Sequence, residues 1–92
     1  MNIFIATPLR TYADGKDAVE VNAATIAEAL DGLTQAYPGL RKHLFTEEGK
    51  LRDFVNLYWN DEDVRYLPAK EQTAVSASDS LSIIPSIAGG RF

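Results

Sequence analysis

Leu81-Ser82-Ile83-Ile84-Pro85-Ser86-Ile87-Ala88-Gly89-Gly90-Arg91-Phe92 closes the chain, and the rest is organised around it. Leu81 to Ile84 is strand-like. Pro85 fixes its own φ and has no N–H to donate, so regular sheet pairing is expected to stop near it. Past Pro85, the residues Ala88, Gly89 and Gly90 carry almost no side chain, and the glycines almost no conformational restriction. Such a tail adds nothing to a core. It suits a narrow channel of another protein, into which it would slide extended to present a backbone carboxylate. The competing reading is a frayed terminus, which is what most chain ends are. The remainder of the chain decides between them.

Working back from the tail, Asp79-Ser80 leads into the final strand, and Lys70 to Ala77 is polar and ambiguous. Phe54-Val55-Asn56-Leu57-Tyr58-Trp59 is the most β-prone run in the chain. Alternation puts Phe54, Asn56 and Tyr58 on one side and Val55, Leu57 and Trp59 on the other. Asn60-Asp61-Glu62-Asp63 reads as a turn, with Val64-Arg65-Tyr66-Leu67 starting a return strand. Thr46 to Lys50 is a charged loop, and Leu40, Leu44 and Phe45 suggest a short helical or irregular piece closing a core edge.

One helix is clear. Thr25 and Glu28 form a T-x-x-E capping box. Ile26, Leu30, Leu33 and Tyr37 recur at helical spacing, and Pro38-Gly39 supplies the stop. Before it, Ile3-Phe4-Ile5 and Ala18-Val19-Glu20-Val21 are strands, and Asp14-Gly15 predicts a hairpin between them. One helix cannot cover two sheet faces, so the order predicts an α+β domain with one mixed sheet wrapped on one helix. The last strand is expected to be central and parallel to the first. That is the β-grasp, ubiquitin-like arrangement, with residues 1–88 as the domain and 89–92 as a flexible tail.

Composition narrows the functions. The chain has 92 residues, 46% of them hydrophobic, which is ordinary for one globular domain. It has no cysteine and one histidine, so disulfides, thiolate sites, a cysteine nucleophile and a two-histidine acid/base pair are excluded. A net charge of −4 argues against general nucleic-acid binding and is compatible with a basic protein partner. No apolar run reaches the roughly 20 residues of a membrane span, and the start has no basic n-region of a signal peptide. A cytoplasmic protein is expected. His43 reads as a surface or packing residue. Asp61, Glu62 and Asp63 lack the ligand pattern of a calcium loop. The pairs Asp14/Asp17 and Asp61/Asp63 sit in turns and read as solvated charge rather than catalytic carboxylates.

The closing stretch from Asp79 to Gly90 resembles the D-x-hydrophobic-x-hydrophobic…P-x-hydrophobic-A-G-G ending of the MoaD/ThiS sulfur-carrier family. The likeness runs the length of the chain. The stretch from Phe54 to Tyr66 is particularly similar to the CysO-type carriers of cysteine biosynthesis. The resemblance implies a carrier and substrate of partner enzymes, not a catalyst, with no bound cofactor. An E1-like partner would use ATP to adenylate the Gly90 carboxylate, with Gly89 keeping the approach narrow. A sulfur donor would then displace AMP and leave a C-terminal thiocarboxylate, which a cysteine synthase-like enzyme would accept.

Arg91-Phe92 follows Gly90, which departs from the active form. The favoured expectation is a precursor cut after Gly90 by a JAMM-type zinc metalloprotease. The alternatives are a lost carrier activity with the fold kept for binding, or a cloning remnant. Three other functions stay open: a protein modifier joined through Gly90, a small subunit of molybdopterin synthase, and an interaction domain whose tail is irrelevant. The natural docking patch would be the sheet face opposite the helix, with Phe54 and Tyr58 as candidates if exposed.

Overall fold

The structure, a computed structural model, describes residues 1–85. β1 (Asn2–Ile5) pairs antiparallel with β2 (Ala18–Glu20), and on its other side parallel with β5 (Ser80–Pro85). β5 pairs antiparallel with β3 (Val55–Trp59), which carries β4 (Glu62–Asp63) at the edge. The sheet order is therefore β2-β1-β5-β3-β4, with the last strand in the middle and parallel to the first, as expected. Pairing runs through Pro85, which faces Val55 in the register.

α1 (Ile26–Ala36) begins where the capping chemistry places it. Thr25 is extended, and its Oγ1 accepts the Glu28 N–H at 3.2 Å. The reciprocal bond falls one residue earlier than the motif prescribes: Glu28 Oε1 accepts from the N–H of Ala24, not of Thr25. Ile26, Leu30 and Leu33 are buried, while Tyr37 caps the C-terminus and is half-buried. These side chains join Ile3, Ile5, Val55, Leu57, Leu81 and Ile83 from the inner face of the sheet in one core. Each such side chain contributes about 1.5–3 kcal/mol of burial.

Two local expectations need correction, and a third holds. Asp14-Gly15 does turn, at φ 56° and 77°, but it is not a tight hairpin loop. A 3-10 segment, Thr7–Ala13, fills the connection, begun by Pro8 and anchored by buried Leu9 and Ala13. Pro38-Gly39 does end α1, and the short helical piece expected around Leu40, Leu44 and Phe45 follows it. Residues Pro38–Leu40 make a 3-10 turn that feeds α2 (Arg41–Leu44), burying Leu40 and Leu44. Val64 to Leu67 is not a return strand. The Asp63 carboxylate accepts the Arg65 N–H at 2.9 Å and caps a 3-10 turn, Val64–Tyr66. Val64 and Leu67, three apart, then both face the core.

Candidate docking face and the exit of the C-terminal tail

Gly89, Gly90, Arg91 and Phe92 lie outside the described residues. What the structure places is the strand that leads to them and the surface beside it. Alternation along β5 turns Leu81 and Ile83 into the core and Ser82 and Ile84 outward. Register then assembles the outer face row by row. Phe4 and Tyr58 flank Ser82, Asp63 stands beyond Tyr58, and Asn56 sits opposite Ile84. Phe54 precedes Val55, whose partner is Pro85.

Phe4 (45% exposed) and Ile84 (44%) thus give an apolar patch on the face away from α1, at the end where β5 leaves the sheet, and exposed Phe54 (40%) precedes the strand residue that pairs with Pro85. Tyr58 is placed on that face, half-buried, whereas Phe54 lies in the turn just before β3, where strand alternation does not assign it a side. Phe4 and Ile84 were not singled out in the sequence. The signal was present: Ile3 and Ile5 flank Phe4 at period two, so one side of β1 had to show Phe4 to solvent. Next to Phe4 and Ile84 a groove of about 410 Å³ is bounded by Arg10 and Asp17. Arg10 Nε donates to the Ile5 carbonyl at 2.8 Å, which ties the 3-10 connection across the end of β1.

The carboxylates are structural. Asp63 accepts from Arg65 Nε at 3.2 Å and Nη2 at 2.8 Å, besides the backbone bond. Those bonds, the side-chain ones first, hold its carboxyl below the usual value. Asp79 is also lowered, first by Asn60 Nδ2 at 3.1 Å and then by the Ser76 N–H at 2.8 Å. Asn60 Oδ1 in turn accepts the Ser80 N–H, so this side chain ties the β3–β4 turn to the start of β5. Asp61 lies in that turn with φ 72°, and Asp14 and Asp17 are exposed in the β1–β2 connection. Among the described residues no group of His, Asp and Glu is placed to hold a metal ion. His43 stacks on Tyr12 with ring centroids 3.9 Å apart, a packing role. No helix among the described residues is long and apolar enough to cross a membrane.

A five-stranded mixed sheet of this order, laid on one principal helix, defines the β-grasp class of small ubiquitin-like proteins. Within that class the chain belongs to the ThiS family, whose model matches residues 3–90. It is 36% identical over 94 residues to the sulfur carrier protein CysO of Mycobacterium tuberculosis, covering 98% of this chain and 100% of that one. It is 36% identical over 67 residues to small archaeal modifier protein 1 of Haloferax volcanii, covering 73% of this chain and 71% of the relative. A chain in the crystal structure of the Amycolatopsis orientalis BexX/CysO complex matches with TM-score 0.84 and 39% identity, over 97% of this chain and 98% of that one. The resemblance read from the closing motif and from Phe54–Tyr66 is borne out. These relatives are named as carriers and a modifier, not as enzymes.

Proposed function

We propose that this protein carries sulfur on the carboxylate of Gly90, in the manner of the CysO-type carriers, and serves cysteine biosynthesis. The observation that carries the reading is the extent of the family match, which ends on Gly90 and leaves Arg91-Phe92 outside it. A JAMM-type zinc metalloprotease hydrolyses the Gly90–Arg91 bond. An E1-like enzyme then binds the chain and ATP. The Gly90 carboxylate attacks the α-phosphorus, pyrophosphate leaves, and an acyl-adenylate forms. Sulfide displaces AMP at the acyl carbon and leaves a thiocarboxylate, a sulfur nucleophile that a cysteine synthase-like enzyme accepts.

The activating enzyme docks on the outer sheet face. Gly90 is the fifth residue beyond Pro85, a reach of at most roughly 18 Å. An enzyme that holds Gly90 in its ATP site therefore contacts the domain close to Pro85, where Phe4, Ile84 and Phe54 are exposed. Apolar and aromatic side chains at the centre of such a contact carry most of its energy. The BexX/CysO complex supports a carrier that works while docked on a partner protein.

Intact mass tests the reading. A chain ending at Gly90, incubated with the activating enzyme, ATP and sulfide, is expected to gain the mass of one oxygen-to-sulfur exchange. No exchange on that chain refutes carriage. The second reading, a modifier conjugated through Gly90 to a partner lysine, is favoured by the likeness to the archaeal modifier protein. A lasting isopeptide adduct without sulfur transfer would select it.

A further inference from the structure

The Arg65–Tyr66 corner is not used by the reading above. Tyr66 is 83% exposed, far more than any other large apolar or aromatic residue noted on the described surface. Arg65 beside it is not a loose surface side chain. Its Nε and Nη2 both bond to the Asp63 carboxylate, a fork that fixes the guanidinium plane. Asp63 is the cross-strand partner of Tyr58, so this plane stands on the outer face of the sheet, at the β4 edge. Tyr66 follows Arg65 in the chain, and Tyr58 is the cross-strand partner of the Asp63 that holds it. The arginine held on Asp63 continues the row that runs from Phe4 through Ser82 and Tyr58 to the β4 edge.

Charge selects what fits there. Asp63 already neutralises Arg65, and Asp61 in the adjoining turn and Glu62 on β4 are both exposed. A carboxylate from a partner would meet those acids with no net cation to receive it. The Arg65 guanidinium keeps its flat face, and among the described residues its Nη1 has no hydrogen-bond partner. A planar side chain stacks well on such a surface, and a neutral carbonyl oxygen suits the remaining N–H groups. We propose that Arg65 and Tyr66 form a second anchor of the docking face, receiving an aromatic side chain and a neutral carbonyl of the activating enzyme. This rests on the carrier reading, and it names the partner chemistry at a place the tail does not reach.

The test is ATP–pyrophosphate exchange by the activating enzyme, with the chain ending at Gly90 as substrate. Tyr66→Ala should raise KM at least tenfold, and Arg65→Lys several-fold, with kcat within about twofold, as expected of lost ground-state binding. Tyr66 is exposed and Tyr66→Ala should leave unfolding followed by Trp59 fluorescence unchanged, whereas Arg65→Lys gives up the fork to Asp63 and should shift it only slightly. The KM ratio should not vary from low salt to roughly 0.5 M, because no net charge is exchanged. Unmoved KM values for both variants, alongside a raised KM for Ile84→Ala, overturn the inference while leaving carriage standing. A strongly salt-dependent ratio overturns the neutral partner chemistry. If the unsubstituted chain supports no exchange, the carrier reading fails and this inference falls with it.

Discussion

Ile83 and Ile84 are neighbours on the central strand with opposite fates, and exchanging each for alanine separates stability from docking. Ile83 is 1% exposed, faces the core and pairs with Ile5 on one side and Leu57 on the other. Ile83→Ala leaves a cavity between three strands and α1 and should cost about 2–5 kcal/mol. For a domain this small each kcal/mol moves the melting temperature by about 4–8 °C, so a fall of at least roughly 8 °C is expected. Ile84 keeps 44% of its surface in solvent, so truncation removes little burial. Its cost should stay within about 1 kcal/mol, mostly lost strand preference. Urea unfolding read by Trp59, the one tryptophan, measures both. Exchange activity, assayed where each variant is folded, should show the reverse ranking: near-normal KM for Ile83→Ala and a raised KM for Ile84→Ala. Equal destabilisation by the two, or an unmoved KM for Ile84→Ala, would refute the assignment of faces and the docking surface built on it.

Other perturbations probe single contacts. Thr25→Ala removes the acceptor for the Glu28 N–H and should lower unfolding free energy by about 1 kcal/mol, measured by urea titration, with Thr25→Ser restoring it. Asn60→Gly tolerates the left-handed φ of 47° but loses the bonds to Asp79 and Ser80, so a cost of about 1–2 kcal/mol isolates those bonds from backbone strain. Asp63 and Asp79 are both lowered from 3.8, so their stabilisation is complete above that value and is lost as pH falls through their folded values. Thermal melts should be flat from about pH 7 to 5 on account of these groups and decline below about pH 4, with Asp63→Asn and Asp79→Asn each flattening part of the acid limb.

Strand order and the helix were legible because each rests on a local signal that tertiary structure did not overrule. The Thr25 cap, the Ile26–Leu30–Leu33 stripe and the alternation from Val55 to Trp59 each appear where their chemistry puts them, with Phe54 left in the turn before the strand. The misread segments share a different physics. Val64-Arg65-Tyr66 looks β-prone by residue type, but the Asp63 carboxylate offers its backbone a hydrogen bond that an edge strand could not. Thr7 to Ala13 was absorbed into a hairpin because Asp-Gly is a strong turn signal. The 3-10 segment depends on Leu9 and Ala13 finding the core, which is a tertiary fact. On the docking face, Tyr58 was visible on one side of a strand. Whether that side was covered depended on there being one principal helix, and the importance of Arg65 depended on a bond to a residue two positions away.

The placement of β5 ties the origin of the tail to the centre of the domain. The strand that leads to Gly90 is paired on both edges, to β1 in parallel and to β3 in antiparallel register. A force on the tail therefore loads two rows of backbone hydrogen bonds together with the burial of Leu81 and Ile83, the centre of the core. An edge strand in the same role would peel one row at a time. The same centrality puts Ile84 in the middle of the outer face, with Phe4 on one neighbouring strand and Asn56 on the other. On the proposed docking, a partner that grips this face would hold the origin of the tail directly, leaving the reach of at most roughly 18 Å from Pro85 to Gly90 for its active site.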